Sequence, residues 1–258
     1  MAHKMIFVTG STQGIGFNIA RDLADAGHSV VVHARSSERA GETNFSGMAG
    51  VVVGDISTLA GMRTVADQAN GFGPFDAVVH NAELGYREPR RVETEDGLSQ
   101  LWAVNVLAPY VLTCLIETPK RLIFTGSGMH PSASSRLDDL QWRNRSWSGA
   151  SAYAETKLQD IALAFALARR WSEVAVNAVS PGWVPTRMGG TGPPDDLERA
   201  HLTQVWLAAS DEIAATKSGR YLYHKEPERT HAAARDTAYQ DALIAACEEA
   251  SGVSLPGL

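Results

Sequence analysis

Short runs of β-branched and apolar residues alternate along this chain with longer stretches of helical periodicity, and that alternation constrains the fold more than any other feature. Met5 to Thr9, Ser29 to His33, Val51 to Val53, Ala77 to His80, Arg121 to Thr125 and Val174 to Val179 read as strands. A helical pattern fills most of the intervals, with Ser36 to Phe45 the weakest. Strands separated by helices pair in parallel through right-handed crossovers, so the pattern predicts an α/β fold with a doubly wound parallel sheet in three layers. The expected strand order is 3-2-1-4-5-6, followed by a short seventh strand at Arg220 to Tyr223. With 258 residues, 44% of them hydrophobic, one core of this kind needs no staples. No repeat or low-complexity linker divides the chain, and a single domain over 1–258 is expected.

Composition excludes several classes of function. A formal net charge of −6 does not suit a general nucleic-acid binder, which needs basic surface for phosphates. No apolar run is long enough to cross a bilayer, and MAHKMIFVTG leads straight into a strand without a signal-peptide core. Cys114 and Cys247 are too few for a disulfide framework and stand in no zinc-binding pattern, so no metal site is expected. The cytoplasm is the expected compartment.

The first strand ends in Thr9-Gly10-Ser11-Thr12-Gln13-Gly14-Ile15-Gly16 and runs into the apolar helical pattern of Ile19, Leu23, Ala24 and Ala26. Glycines here allow a sharp turn and the close approach of a diphosphate, and the new helix offers its unpaired N–H groups to the negative charge. The second strand ends in Ala34-Arg35-Ser36-Ser37, without the acid that commonly binds a ribose 2′-hydroxyl in NAD-specific proteins. The Arg35 guanidinium, helped by a Ser36 or Ser37 hydroxyl, suits a 2′-phosphate. NADP(H) is therefore the expected cofactor in preference to NAD(H).

Tyr153 and Lys157 lie four residues apart at the start of a strong helical pattern through Leu158, Ile161, Ala162, Phe165 and Ala168. That spacing puts phenol and ammonium on one face, but such a pair occurs by chance in many helices. Its companions give it weight: the glycine turn at 9 to 16, Asp55-Ile56 after the third strand, Asn81-Ala82 after the fourth, and Asn105 within WAVNV. Ser127 in FTGSG and the Pro181-Gly182-Trp183-Val184-Pro185-Thr186 turn complete the order. Taken together, the chain resembles the short-chain dehydrogenase/reductase family over nearly its whole length, in its short Rossmann-type branch.

The resemblance implies a ketoreductase-like oxidoreductase acting on a carbonyl or secondary alcohol. Tyr153 would be the general acid/base, and Lys157 would lower its pKa and hold the nicotinamide ribose. Ser127 would polarise the substrate oxygen, and Asn105 would anchor a water linked to Lys157. The cofactor contacts it implies are Gly10, Thr12, Gln13, Gly14, Ile15, Gly16, Arg35, Ser36, Asp55, Ile56, Asn81, Ala82, Tyr153, Lys157, Pro181, Gly182, Val184 and Thr186. Dimers or tetramers through the helices carrying Asn105 and Tyr153 are a further expectation, although the stretch from Leu107 to Lys120 is short. The final segment, His231 to Ala250, reads as a helix over the pocket or an interface.

Two features depart from the family pattern. Glu83 stands where a glycine is usual, with an expected cost of about 1 kcal/mol if its backbone is left-handed and repulsion toward the cofactor. The segment from Ser127 to Tyr153 is long, which is similar to retinol-dehydrogenase-like reductases, as is the Asp138-Asp139-Leu140-Gln141 run. Insertions at about 128–149 and 186–200 are expected as substrate loops, the GGTGPPD run of 189–195 as a mobile lid, with plain solvated loops as the alternative. His130, Trp142, Trp147, Trp183 and Met188 are the expected lining of a pocket for a small hydrophobic substrate. A catalytically silent NADP(H)-binding regulatory protein is the rival reading. A nucleotide-sugar epimerase ranks last, because too little chain follows Pro185.

Overall fold

The computed structural model describes residues 2–190 and 192–257. In chain order its elements are β1 (Met5–Val8), α1 (Gly14–Asp25), β2 (Ser29–Ala34), α2 (Ser37–Gly41), β3 (Gly50–Val53), α3 (Leu59–Asn70) and β4 (Ala77–His80). Next come α4 (Gln100–Trp102), a π turn (Ala103–Leu107), α5 (Ala108–Leu115), β5 (Arg121–Thr125), α6 (Gly149–Arg170) and β6 (Ala175–Ser180). The chain ends with α7 (Leu197–Ala200), α8 (Leu202–Ala209), β7 (Arg220–Tyr223), β8 (Glu226–Pro227) and α9 (Thr237–Ser251).

The strands form one sheet in the order β3-β2-β1-β4-β5-β6-β7-β8, a Rossmann-like arrangement. β1 to β7 are parallel, as expected, and β8 is an added antiparallel strand paired with β7. Its turn was not expected, because His224 and Lys225 carry no glycine or asparagine signal, yet both adopt positive φ (48° and 68°), as the tight hairpin turns require.

Strand alternation sends side chains to both faces. Ile6, Val8, Val30 and Val32 pack on one face with Ile19 and Leu23 of α1 and Trp206 and Leu207 of α8. Phe7, Val31 and Val52 pack on the other with Met62 of α3, Leu107, and Leu158 and Ile161 of α6. The near-continuous hydrophobic character of the strands follows from this two-sided cover.

Every residue of α6 from Ala152 to Leu167 is buried, because α9 lies over it. Arg169 and Arg170 both pair with Asp241, and the Arg235 guanidinium sits 4.4 Å from the Phe165 ring centre. The final helix thus starts at Thr237, after a 3-10 turn at Ala232–Arg235, and packs on α6 instead of over the pocket. This chain's own C-terminal helix thus packs on α6, one of the two helices expected to meet a partner subunit. Among the described residues, no helix is long and apolar enough to cross a membrane, and no group of His, Cys, Asp or Glu is placed to hold a metal ion.

Candidate active site

The glycine turn, Arg35, Asp55, Asn81 to Glu83, Ser127 and Pro181 to Thr186 all follow the carboxyl ends of successive strands, the edge at which open α/β sheets bind ligands. Close packing fixes the turn. A Cβ on Gly10 would meet Ala82 Cα at 2.7 Å, and one on Gly16 would meet Asn81 Nδ2 at 2.3 Å. Asn81 ties the ends of β1 and β4 together, its amide donating to the Thr9 and Gly10 carbonyls (3.1 and 3.2 Å). His33, which sequence reasoning passed over, clamps the turn from β2: Nδ1 accepts from Gly10 N–H (3.1 Å), so Nε2 carries the proton toward Gly54 O (2.9 Å). Burial lowers its pKa and keeps it neutral.

This end fits a nucleotide cofactor. A Cβ on Gly14 would meet nothing closer than Thr186 Cγ2 at 3.9 Å, which leaves open space over the turn. No side chain caps α1, so its first-turn N–H groups are available to an anion. Asp55 is exposed and accepts from Ser57 N–H (2.9 Å), while Ile56 is buried in the core. Ser36 caps α2 by accepting from Arg39 N–H (3.3 Å). Arg35 is exposed and makes no hydrogen bond or ion pair among the described residues. Arg39, also not foreseen, reaches Gln13 Oε1 (3.0 Å) and Glu42 (2.7 Å).

A cavity of about 580 Å³ opens beside the turn, with Ile15, Glu83, Ser127, Tyr153 and Thr186 among its lining residues. Tyr153 and Lys157 share a face of α6, as their spacing predicts. Lys157 is almost wholly buried; its ammonium donates to Asp160 Oδ2 and Thr125 O, each at 2.9 Å, and forms an ion pair with Glu83 Oε2 at 2.7 Å. Burial alone would lower the ammonium's pKa, but the carboxylates of Asp160 and Glu83 outweigh it and raise it. Burial pushes Asp160 up to about 7 against the pull of Lys157. The Tyr153 phenol donates to Glu83 Oε2 over 3.4 Å. Burial and then the Glu83 charge push its pKa above the ordinary tyrosine value; Lys157 and Ser127 act the other way and are outweighed. The net direction is therefore opposite to the expected one, because burial and then the Glu83 charge outweigh the lysine.

Glu83 also corrects the expectation of strain. Among the described residues the non-glycine positions with positive φ are Trp142, His224 and Lys225, so Glu83 keeps an ordinary backbone. Asn105 sits in the π turn and clamps the next residue: Oδ1 accepts from Leu84 N–H (2.7 Å), and Nδ2 donates to Leu84 O (3.0 Å) and Thr156 Oγ1 (3.1 Å). Both amide protons are committed to protein acceptors, so the Asn105 side chain fixes Leu84 and Thr156 in place.

Of the five residues expected to line the pocket, Trp183 and Met188 do so; His130, Trp142 and Trp147 do not. His130 is buried, its Nδ1 bonded to Ser127 O (2.7 Å) and its ring edge-on to Tyr221 at 4.9 Å. Tyr86, Tyr221 and Tyr223, which sequence reasoning missed, take up that lining; they are distant in sequence and carry no motif. Trp142 and Trp147 anchor the 128–149 insertion. Arg145 forks onto the buried Glu155 of α6 (2.8 and 2.6 Å), Trp142 Nε1 donates to the same carboxylate (3.1 Å), and the guanidinium stacks 3.6 Å from the Trp142 ring. Trp147 meets Trp142 edge-on at 5.6 Å and donates to Glu88 O (2.8 Å). The insertion is a fastened wall. Arg145→Ala is expected to cost about 2 kcal/mol in chemical denaturation, since Glu155 loses its ionic partner but keeps the indole N–H; an unchanged midpoint would show the fork to be dispensable. Both ends of the 189–195 segment are held: Arg87 and Trp183 donate to Gly189 O, and Asp195 accepts from Tyr223 OH (3.0 Å) and Trp183 N–H (2.5 Å). Thr191 lies outside the described residues.

Comparison with known proteins agrees with this arrangement. A family model described as short chain dehydrogenase matches residues 4–196. The chain is 40% identical over 258 residues to an uncharacterized oxidoreductase of Emericella nidulans, covering 98% of each. It is 29% identical over 203 residues to human retinol dehydrogenase 13, covering 72% of this chain and 60% of that protein. Among solved structures, an uncharacterized protein from Mycobacterium paratuberculosis superposes with a TM-score of 0.84 at 23% identity, covering 99% of this chain and 96% of that one. A metagenomic blue fluorescent protein in complex with NADPH superposes at 0.66 and 24% identity, covering 85% and 95%.

The fold and site thus define a nicotinamide-dependent class of oxidoreductases. This chain belongs to the short-chain dehydrogenase/reductase family.

Proposed function

We propose that this chain transfers hydride between NADP(H) and the carbonyl or secondary alcohol of a small, uncharged, largely hydrophobic molecule. The observation that carries the reading is the convergence of Tyr153 and Ser127 on one cavity next to the glycine turn, with the buried Lys157 paired to the cavity-lining Glu83. Tyr153 supplies the proton to the substrate oxygen and Ser127 polarises it. Lys157 holds the nicotinamide ribose and tempers the phenol. The cofactor, when bound, supplies the hydride. Gly10 to Gly16 and the α1 N-terminus receive the diphosphate, Asp55 and Ile56 the adenine, and Pro181 to Thr186 the carboxamide end.

The cavity brings together the aromatic rings of Tyr86, Tyr221, Tyr223 and Trp183 with the carboxylates of Asp195, Glu228 and the Lys157-paired Glu83, and no lysine, arginine or histidine is among its described lining residues. Such a wall disfavours anionic substrates. The test is NADPH oxidation followed by absorbance across a panel of neutral aromatic and aliphatic ketones and aldehydes; no turnover on any of them would remove the reading. The rival, a silent NADP(H)-binding protein, is favoured by the two carboxylates already paired with Lys157 and predicts that outcome.

NADPH is expected to bind about 10-fold or more tightly than NADH. Support comes from the exposed Arg35 without an acid beside it and from Arg39 held against Gln13. Arg35→Ala and Arg39→Ala should each weaken NADPH binding by about 3- to 10-fold, the low end of a charge-assisted hydrogen bond at an exposed site, and leave NADH unchanged. Fluorescence titration with both cofactors decides, and equal or reversed affinities would defeat the preference.

A further inference from the structure

We propose that Glu83 is a further catalytic residue of this site, the carboxylate through which the Tyr153 phenol exchanges its proton with solvent. The inference rests on the assignment of Tyr153 as the acid/base. Glu83 Oε2 bridges the two reactive groups, 2.7 Å from Lys157 Nζ and 3.4 Å from the Tyr153 hydroxyl. Of the two carboxylates on Lys157, Asp160 is enclosed in the core with a side-chain exposure of 3%, whereas Glu83 retains 15% and lines the cavity. Glu83 is therefore the one with a route to water. The phenol contact is long for a hydrogen bond, as catalytic contacts commonly are before substrate binds.

The surrounding residues hold Glu83 in this role. Asn105 spends both amide protons and an Oδ1 lone pair on Leu84 and Thr156, which fixes the backbone immediately after Glu83 and leaves the amide protons no part in proton transfer. Asp160 is the other carboxylate on Lys157, at 2.9 Å, and has no access to the cavity. What a second, cavity-facing carboxylate adds is a group able to take up and release a proton beside the phenol.

In the reductive direction the phenol O–H bond breaks as the proton passes to the substrate oxygen, and the carbonyl carbon receives the cofactor's hydride. The Glu83 carboxylate then takes a proton from water entering through the cavity and passes it to the phenolate, which returns both groups to their starting states. Each cycle consumes one hydride and one solvent proton. Oxidation reverses the order: Glu83 accepts the phenolic proton as the phenolate removes that of the alcohol.

Glu83→Gln preserves shape and hydrogen bonding but cannot pass the proton, whereas Glu83→Ala leaves space for a small carboxylate. We expect kcat of Glu83→Gln to fall about 100-fold, with NADPH affinity, read by tryptophan fluorescence, changed by no more than about threefold. Formate should restore Glu83→Ala in a concentration-dependent manner and leave Tyr153→Phe inactive. A Glu83→Gln kcat within about threefold of wild type, or an alanine variant indifferent to formate, would overturn the proposal while the reading of Tyr153 stands. If the glutamine variant does not fold, formate rescue of the alanine variant decides alone. A wild-type enzyme without turnover would remove the reading of the site and this proposal together.

Discussion

Tyr153→Phe is expected to lower kcat for carbonyl reduction by about 10³-fold, the middle of the range for a lost general acid, while NADPH binding stays at its wild-type level. The substitution removes one oxygen from a ring that is 5% exposed and packs edge-on to Tyr86 at 5.8 Å, so the packing of α6 persists. Burial and the Glu83 carboxylate hold the phenol above its ordinary pKa, and it therefore enters the reductive reaction carrying its proton. Oxidation has to remove that proton first, so reduction is expected to be the faster direction at neutral pH. Steady-state rates in both directions, with cofactor titration of each protein, provide the check. A phenylalanine variant that turned over at the wild-type rate would show that the proton comes from elsewhere.

The second large effect is on folding. Lys157→Met is expected to abolish turnover and to cost about 3–5 kcal/mol at neutral pH, the penalty for leaving a buried charge unpaired. The methionine fills the apolar path of the side chain but leaves Asp160 Oδ2, Glu83 Oε2 and Thr125 O without their donor. Asp160 then has burial against it and no cation to oppose it. In the wild type its pKa is already raised from 3.8 to about 7, so the folded state holds a proton that the unfolded chain has lost. The stability it contributes is complete below about pH 4 and disappears as pH rises through about 7. Removing Lys157 moves that loss to higher pH, since the lysine is what pulls Asp160 down. Denaturant midpoints between pH 5 and 8 should fall more steeply in Lys157→Met than in Lys157→Met/Asp160→Asn. Parallel curves would show that Asp160 does not carry the dependence.

Much of this was legible in the sequence. Four-residue strands such as Ala77–His80 stand out because a strand covered on both faces is mostly apolar, and Arg121–Thr125 and Arg220–Tyr223 were bounded to the residue. The parallel order followed from crossover handedness. Strand β8 was invisible because its turn places positive φ on His224 and Lys225, residues that do not advertise it. The pocket was half legible. Trp183 and Met188 line it, but Trp142 was drawn out of it by Glu155, a carboxylate whose burial on α6 no local pattern reveals.

Tyr153 and Lys157 show where the division lies. Their spacing on one helix, their place after the fifth strand and the glycine turn ahead of them are local or periodic properties, and sequence by itself determined that they share a face and a family. What surrounds Lys157 is not local: Glu83 comes from the end of β4, Thr125 from the end of β5 and Asp160 from one turn along α6. Only the tertiary structure decided that two carboxylates meet on that ammonium, and that burial and the Glu83 charge together hold the phenol protonated. The energy of a charge depends on burial and on every neighbour within a few ångströms, and neither can be read from the order of residues along the chain.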